Sequence, residues 1–239
     1  MLRRLVSFLL GAAAAGFVCL SYVYLTLPDV LPLKTSNPPT TAFIELRARE
    51  ARAKGSAPKR IQRWVGYRHI SPHLTRAVLV AEDDAFWQHE GVDFEQMQES
   101  LELDWARGRF VRGGSTITQQ LAKNLYLSPS RNPLRKFQEL ILARRLEAEL
   151  SKTRILELYL NVIEWGDGIY GAEAAARTYF HEAASDLGPA ESALLAGAII
   201  NPRVLSPAHP TGRLVRRQAL IMKRAAGVSP PREALDDAR

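Results

Sequence analysis

Hydrophobic positions divide this chain into one long apolar run followed by a series of helix-like stripes. Arg3 and Arg4 precede an apolar stretch from Leu5 to Leu27, broken only by Ser7, Ser21, Thr26 and glycines. About 23 residues make roughly 35 Å of helix, enough to cross a bilayer with some tilt. Tyr22 and Tyr24 fall near one end, where aromatic rings suit an interface. A cleaved signal peptide is the competing reading, with Ala12 to Ala15 as small-residue cleavage site. Apolar residues continue past that point, which favours an anchor. The arginine pair then stays on the cytoplasmic side and the rest of the chain lies across the membrane.

Pro28, Pro32, Pro38 and Pro39 predict an extended tether. A short charged helix is expected over 41–54, broken by Gly55 to Pro58. Ser71 with Pro72 reads as an N-cap with proline in the first turn. Leu74, Ala77, Val78 and Ala81 then form a stripe at helical spacing. Gly113 and Gly114 end a loop, and Ser115 is the expected cap of a second helix, with Ile117, Leu121 and Leu125 inward. A third helix is predicted over 134–150. A fourth follows Ser151, with Ile155, Leu156, Tyr159 and Leu160 apolar. A glycine-rich turn (Gly166, Gly168, Gly171) leads into a helix from Ala172 to Phe180. Another runs from Gly188-Pro189 to near Asn201-Pro202, and a last basic helix ends at Gly227. No alternating strand pattern stands out, so the expected fold is mainly α. The expected divisions are an anchor (1–28), a tether and membrane-proximal stretch (29–70), a catalytic-sized domain (71–227) and a polar tail (228–239).

Composition adds a little. Of 239 residues, 46% are apolar and 24% charged, as in a globular domain, and the formal net charge is +7. Basic chains favour nucleic acid, anionic lipid or phosphorylated substrates. An anchor that places the domain outside the cytoplasm argues against nucleic acid. The single cysteine, Cys19, allows no intramolecular disulfide and no cysteine-based metal site.

Three segments carry candidate chemistry. Glu82, Asp83 and Asp84 are consecutive carboxylates at the end of an apolar helix face. Mutual repulsion and partial burial raise the pKa of the least solvated one, which suits a general base. An exposed acidic helix end is the plainer alternative, and His89 alone reads as structural. In RGGSTITQQLAKNL (112–125), Thr116, Gln120, Lys123 and Asn124 share one polar face with a single cation. That strip suits sugar hydroxyls and a phosphate, or is merely the wet side of a surface helix. Arg131, Arg135 and Lys136 cluster near Glu139. Ordinary helical ion pairs look like this, as does a cationic pocket for pyrophosphate with a second carboxylate beside it.

Five blocks in order give the chain a resemblance: EDDAFWQHEGVD (82–93), RGGSTITQQLAKN (112–124), RKFQE (135–139), SKTRILELYLN (151–161) and GIYGAEAAARTYF (168–180). Over roughly residues 65–210 it resembles the family 51 glycosyltransferases, the peptidoglycan polymerases, and especially their monofunctional members. The resemblance implies a lysozyme-like helical domain with a small membrane-associated jaw lobe. It implies polymerisation of lipid II, with release of undecaprenyl pyrophosphate. By motif position Glu82 is the general base acting on the acceptor 4-hydroxyl, and Glu139 the second catalytic carboxylate. Lys123, Arg131, Arg135 and Lys136 match pyrophosphate-holding cations. Ser115, Thr116, Gln119, Gln120 and Asn124 match polar residues of the substrate cleft, while Asp83, Phe86 and His89 shape it. Gln138 stands where some members carry a cation. A divalent cation, Mg or Mn, is expected, with no ligands assignable. The expected partners are lipid II, the growing glycan strand, membrane lipid and cell-wall synthesis or division proteins, and no nucleic acid. Trp64, Val65, Tyr67 and Ile70, amid Arg63 and Arg68, are expected in the interfacial part of the jaw. Larger members add a transpeptidase domain, for which this chain has no room before Arg239. A lysozyme-like glycan-cleaving enzyme and an inactive membrane-tethered scaffold remain the rival readings.

Overall fold

The computed structural model describes residues 2–107, 114–127 and 133–227. Arg131 and the expected tail over 228–239 lie outside the described residues. Ten helices and one small sheet make up the described residues, so the fold is mainly α.

Helix α1 (Leu2–Thr26) projects from the rest, and Phe8, Leu10, Phe17, Val18 and Leu25 stand exposed along it. Its segment Val6–Thr26 is long and apolar enough to span a bilayer. The expected extended tether is not there. Leu27, Val30 and Leu33 enter the main core, and Leu31–Lys34 form a 3₁₀ turn. The prolines fix a compact path, and arginines of the domain hold it. Arg154 donates to the carbonyls of Leu33 and Ser36, both at 2.8 Å, and to the Asn37 side chain. Arg145 donates to the carbonyls of Tyr24 and Leu27 and lies over the Tyr24 ring, 4.2 Å from its centroid. These bonds meet carbonyls that the end of α1 leaves without helical partners.

Helix α2 (Ala42–Ala53) starts at the predicted place, with Thr41 as N-cap accepting from the Ile44 amide. A three-stranded sheet follows that the hydrophobic pattern did not predict. Strand β1 (Ile61–Gln62) pairs parallel to β3 (Ile169–Tyr170), and β2 (Glu164–Gly166) pairs antiparallel to β3. Strands of two or three residues are too short to display alternation. The segment expected in the jaw belongs to the main body instead: Ile70 is buried, and Trp64, Val65 and Tyr67 pack against the main core. Asn161 fixes it by accepting from the Val65 amide and donating to the Val65 carbonyl.

Helix α3 (Pro72–Glu82) is capped by Ser71 as predicted. Helix α4 (Phe94–Arg107) was not foreseen. Its sequence is largely acidic and polar and Phe94 is exposed, although Phe94, Met97, Leu101 and Trp105 recur at helical spacing along it. Helices α5 (Ile117–Tyr126), α6 (Pro133–Glu149) and α7 (Lys152–Val162) form the centre. Ile155, Leu156, Leu158, Tyr159, Leu160 and Val162 are all fully buried, so α7 is covered on every side. Gly171, at φ +85°, turns the chain into α8 (Ala172–Tyr179); an added Cβ would lie 2.8 Å from the Asn161 carbonyl oxygen. Helix α9 (Pro189–Ala198) packs against α3 and α10 (Gly212–Ala226) through small residues such as Ala193, Ala196 and Gly197.

Candidate active site

Each of the three consecutive carboxylates ending α3 meets a different partner. Asp83 turns inward and is almost wholly buried. Its carboxylate accepts from the Ile117 amide at 2.8 Å and from His89 Nε2 at 3.0 and 3.2 Å. His89 Nδ1 accepts from the Gly91 amide, so the ring proton sits on Nε2, facing Asp83. Phe86 is buried beside His89 and under Lys152, whose ammonium lies 4.4 Å from the ring centroid. Lys152 also donates to the His89 carbonyl. Asp83, Phe86 and His89 are thus internal struts that fix the loop after α3 and tie it to the start of α5. Asp84 is half-exposed and pairs with Arg224 at 2.7 Å.

Glu82 is the carboxylate left to face the polar side of α5. Its side chain is mostly buried, with 14% exposed. Oε2 accepts from Gln120 Nε2 at 3.1 Å, and Oε1 lies 3.5 Å from Arg217 Nη2. Burial pushes the Glu82 carboxyl above its ordinary value; the Gln120 hydrogen bond and the charges of Arg217 and Lys123 pull back, and Asp83 adds a small upward push. Of the two expected causes, repulsion and partial burial, burial dominates, because Asp83 and Asp84 point to other partners.

Helix α5 opens with a capping box. Thr116, not the expected Ser115, is the N-cap: its hydroxyl accepts from the Gln119 amide, and the Gln119 side chain accepts from the Thr116 amide. Thr116 also donates to the Gly91 carbonyl at 2.7 Å. Thr116 and Gln119 are both buried, and Gln119 Oε1 also accepts from Lys136 Nζ at 3.4 Å. Asn124, also buried, donates to the Gln120 carbonyl. Ser115 remains partly exposed, and Lys136 Nζ donates to its hydroxyl at 3.4 Å.

Lys123 sits between the two carboxylates. Burial lowers its pKa most; Arg135 and Lys136 lower it further, while Glu139 and Glu82 raise it. Glu139 is buried on α6, with Arg135 3.1 Å from one oxygen and Lys136 on the other. The structure therefore brings together Glu82, Gln120, Lys123, Ser115, Arg135, Lys136 and Glu139. Among the described residues no three carboxylate, imidazole or thiol groups converge to hold a metal. Both oxygens of Glu139 already meet cations, so the expected Mg or Mn finds no protein cage in this donor set. A cavity of about 220 Å³ lies elsewhere, between α2 and the sheet, lined by Arg47, Glu164, Tyr170 and Arg203, and includes none of these groups.

Two contributors escaped the sequence reading. Arg217, on the basic last helix and not among the expected site residues, makes an ion pair with Glu82. The signal was present, because Leu214 and Ile221 are the buried residues of α10 and position 217 lies between them at helical spacing. A charge on an apolar stripe asks for a partner. Tyr159, read only as a core residue, donates its hydroxyl to Gln120 Oε1 at 2.9 Å.

A poised carboxylate beside clustered cations, in a helical domain, is the equipment of a transferase that deprotonates a hydroxyl while an anionic group departs. Comparison with known proteins gives that class a family. The family model described as Transglycosylase matches residues 50–226, and the chain belongs to that family. It is 57% identical over 167 residues to a biosynthetic peptidoglycan transglycosylase of Aromatoleum aromaticum, covering 70% of this chain and 73% of the relative. A protein of the same name from Laribacter hongkongensis is 45% identical over 222 residues, covering 92% and 97%. The Thiobacillus denitrificans protein of that name is 44% identical over 223 residues, covering 93% and 96%.

Proposed function

We propose that this chain polymerises lipid II into peptidoglycan glycan strands, transferring the growing lipid-linked chain to the acceptor 4-hydroxyl and releasing undecaprenyl pyrophosphate. The observation that carries the reading is the pairing of a largely buried Glu82 with the cations Lys123, Arg135 and Lys136. Burial makes Glu82 more basic than a solvated glutamate, so it takes the proton from the acceptor hydroxyl as that oxygen attacks the anomeric carbon. The anomeric carbon–oxygen bond breaks with inversion, and its electron pair leaves on the diphosphate. That anion needs positive charge rather than a proton, and the cations supply it. Glu139 holds Arg135 and Lys136 in place from within α6. A hydrolase cutting a neutral glycosidic bond has no use for such a cluster.

Helix α1 serves as a membrane anchor, with Arg3 and Arg4 on the cytoplasmic side and the catalytic domain on the periplasmic side. A substrate with a polyprenyl tail stays in the bilayer, so an anchored enzyme meets it at the lipid surface. The test is Glu82→Gln supplied with lipid-linked disaccharide. Long glycan product should vanish while the protein remains folded by circular dichroism; wild-type levels of polymer would remove Glu82 from the mechanism.

A further inference from the structure

We propose that Tyr159 is a positioning residue: its buried hydroxyl fixes the orientation of the Gln120 amide, and this keeps an N–H donor aimed at the base Glu82. The inference rests on the reading of Glu82 as general base.

The geometry accounts for every polar atom of Gln120. Its Nε2 donates to Glu82 Oε2 at 3.1 Å and to the Ser115 carbonyl at 3.4 Å. Its Oε1 accepts from Tyr159 at 2.9 Å. Rotating the amide by a half-turn would aim Oε1 at the Glu82 carboxylate and the Ser115 carbonyl, two acceptors facing a third. Those two acceptors oppose the half-turn, and the Tyr159 hydroxyl, donating to Oε1, holds the amide from its other end. Its pKa stands well above the ordinary phenol value, first through burial and then through the charges of Glu82 and Asp83. The hydroxyl is therefore a permanent donor across the working range of pH. Tyr159 is fully buried on α7.

The groups acting on Glu82 come from three helices. Gln120 and Lys123 face it from α5, Arg217 from α10, and Asp83 adjoins it at the end of α3. Of these, Gln120 is the uncharged one, and the sign of its effect depends on which end of the amide is presented. The Tyr159 hydroxyl anchors the oxygen end of that amide from α7.

The experiment uses the full chain with lipid-linked disaccharide and follows kcat/KM against pH. Tyr159→Phe keeps the ring in the core and removes the proton. The acid limb, where Glu82 gains its proton, should move to higher pH by about half a unit to one unit. Activity should return to near the wild-type level on the alkaline side of the profile. In a Gln120→Ala background the same Tyr159→Phe change should no longer move the limb. An equal loss at every pH, or an undiminished shift without Gln120, overturns the positioning role. Glu82→Gln, run alongside, separates the two levels. If it polymerises normally, the base reading falls and takes this inference with it. If it is inactive and the Tyr159→Phe limb stays still, only the inference falls.

Discussion

Replacing Arg217 by methionine takes one positive charge from Glu82 and leaves an apolar stem in its place. The closest approach of guanidinium and carboxylate is 3.5 Å, which puts the centres of charge about 4.5 Å apart. Coulomb's law then gives about 1 kcal/mol in a water-like medium and about 4 kcal/mol at an effective dielectric of 20. Arg217 is 31% exposed and Glu82 14%, so screening favours the lower part of that range, about 1–2 kcal/mol. The sign is fixed: Arg217 stabilises the charged carboxylate, so its removal raises the Glu82 pKa. A base is active when deprotonated, so the acid limb of kcat/KM should move to higher pH by about one unit. Folding should suffer little. Arg217 Nε is buried without a hydrogen-bond partner, and its stem packs near Gly197, contacts that methionine keeps. Polymerisation measured across pH, with a thermal melt on the same sample, checks both parts. An unmoved acid limb accompanied by a large drop in melting temperature would refute the reasoning and make Arg217 a structural residue.

Lys123→Met should weaken inhibition by inorganic pyrophosphate about 10- to 100-fold, the loss expected for a charge-assisted contact; unchanged inhibition would place the leaving group elsewhere. Gly91→Ala should destabilise the chain by about 1–3 kcal/mol, a fall of roughly 3–10 °C in a melt. Gly91 has φ +83°, and an added Cβ would lie 2.9 Å from Glu147 Cγ and 3.1 Å from the Ala143 carbonyl oxygen. A melt equal to wild type would show that the loop relaxes freely.

Most helices were legible because each carries its own punctuation. Ser71-Pro72, Ser151 and Thr41 cap α3, α7 and α2, and an apolar stripe follows the first two. The one-residue error at α5 was avoidable. Counting three residues from Ser115 gives Thr118, whereas counting from Thr116 gives Gln119, the partner a capping box requires. Helix α4 was legible in principle: Phe94, Met97, Leu101 and Trp105 recur at helical spacing among its acidic residues. The sheet was hidden because two-residue strands have no period. At the site, Glu82 on α3, Lys123 on α5, and Arg135 and Lys136 on α6 were each legible as candidate charges within their own segments. Arg217 and Tyr159 come from α10 and α7, far from Glu82 in sequence, and only packing brings them to it. The role of Asp83 was equally invisible: adjacent carboxylates look alike in a string of letters, but helix geometry sends one inward and another to solvent.

The grip of Arg145 on the last turn of the apolar N-terminal helix makes α6 a ruler. Arg145 and Arg135 are on the same helix, ten residues apart, which is about 15 Å of rise. Arg135 therefore stands at a set separation from the point where the apolar N-terminal helix stops. No slack intervenes, because Leu27, Val30 and Leu33 are already committed to the interior. Under the proposed function, a donor tethered in a film calls for a constant standoff from that film, which one rigid rod would supply.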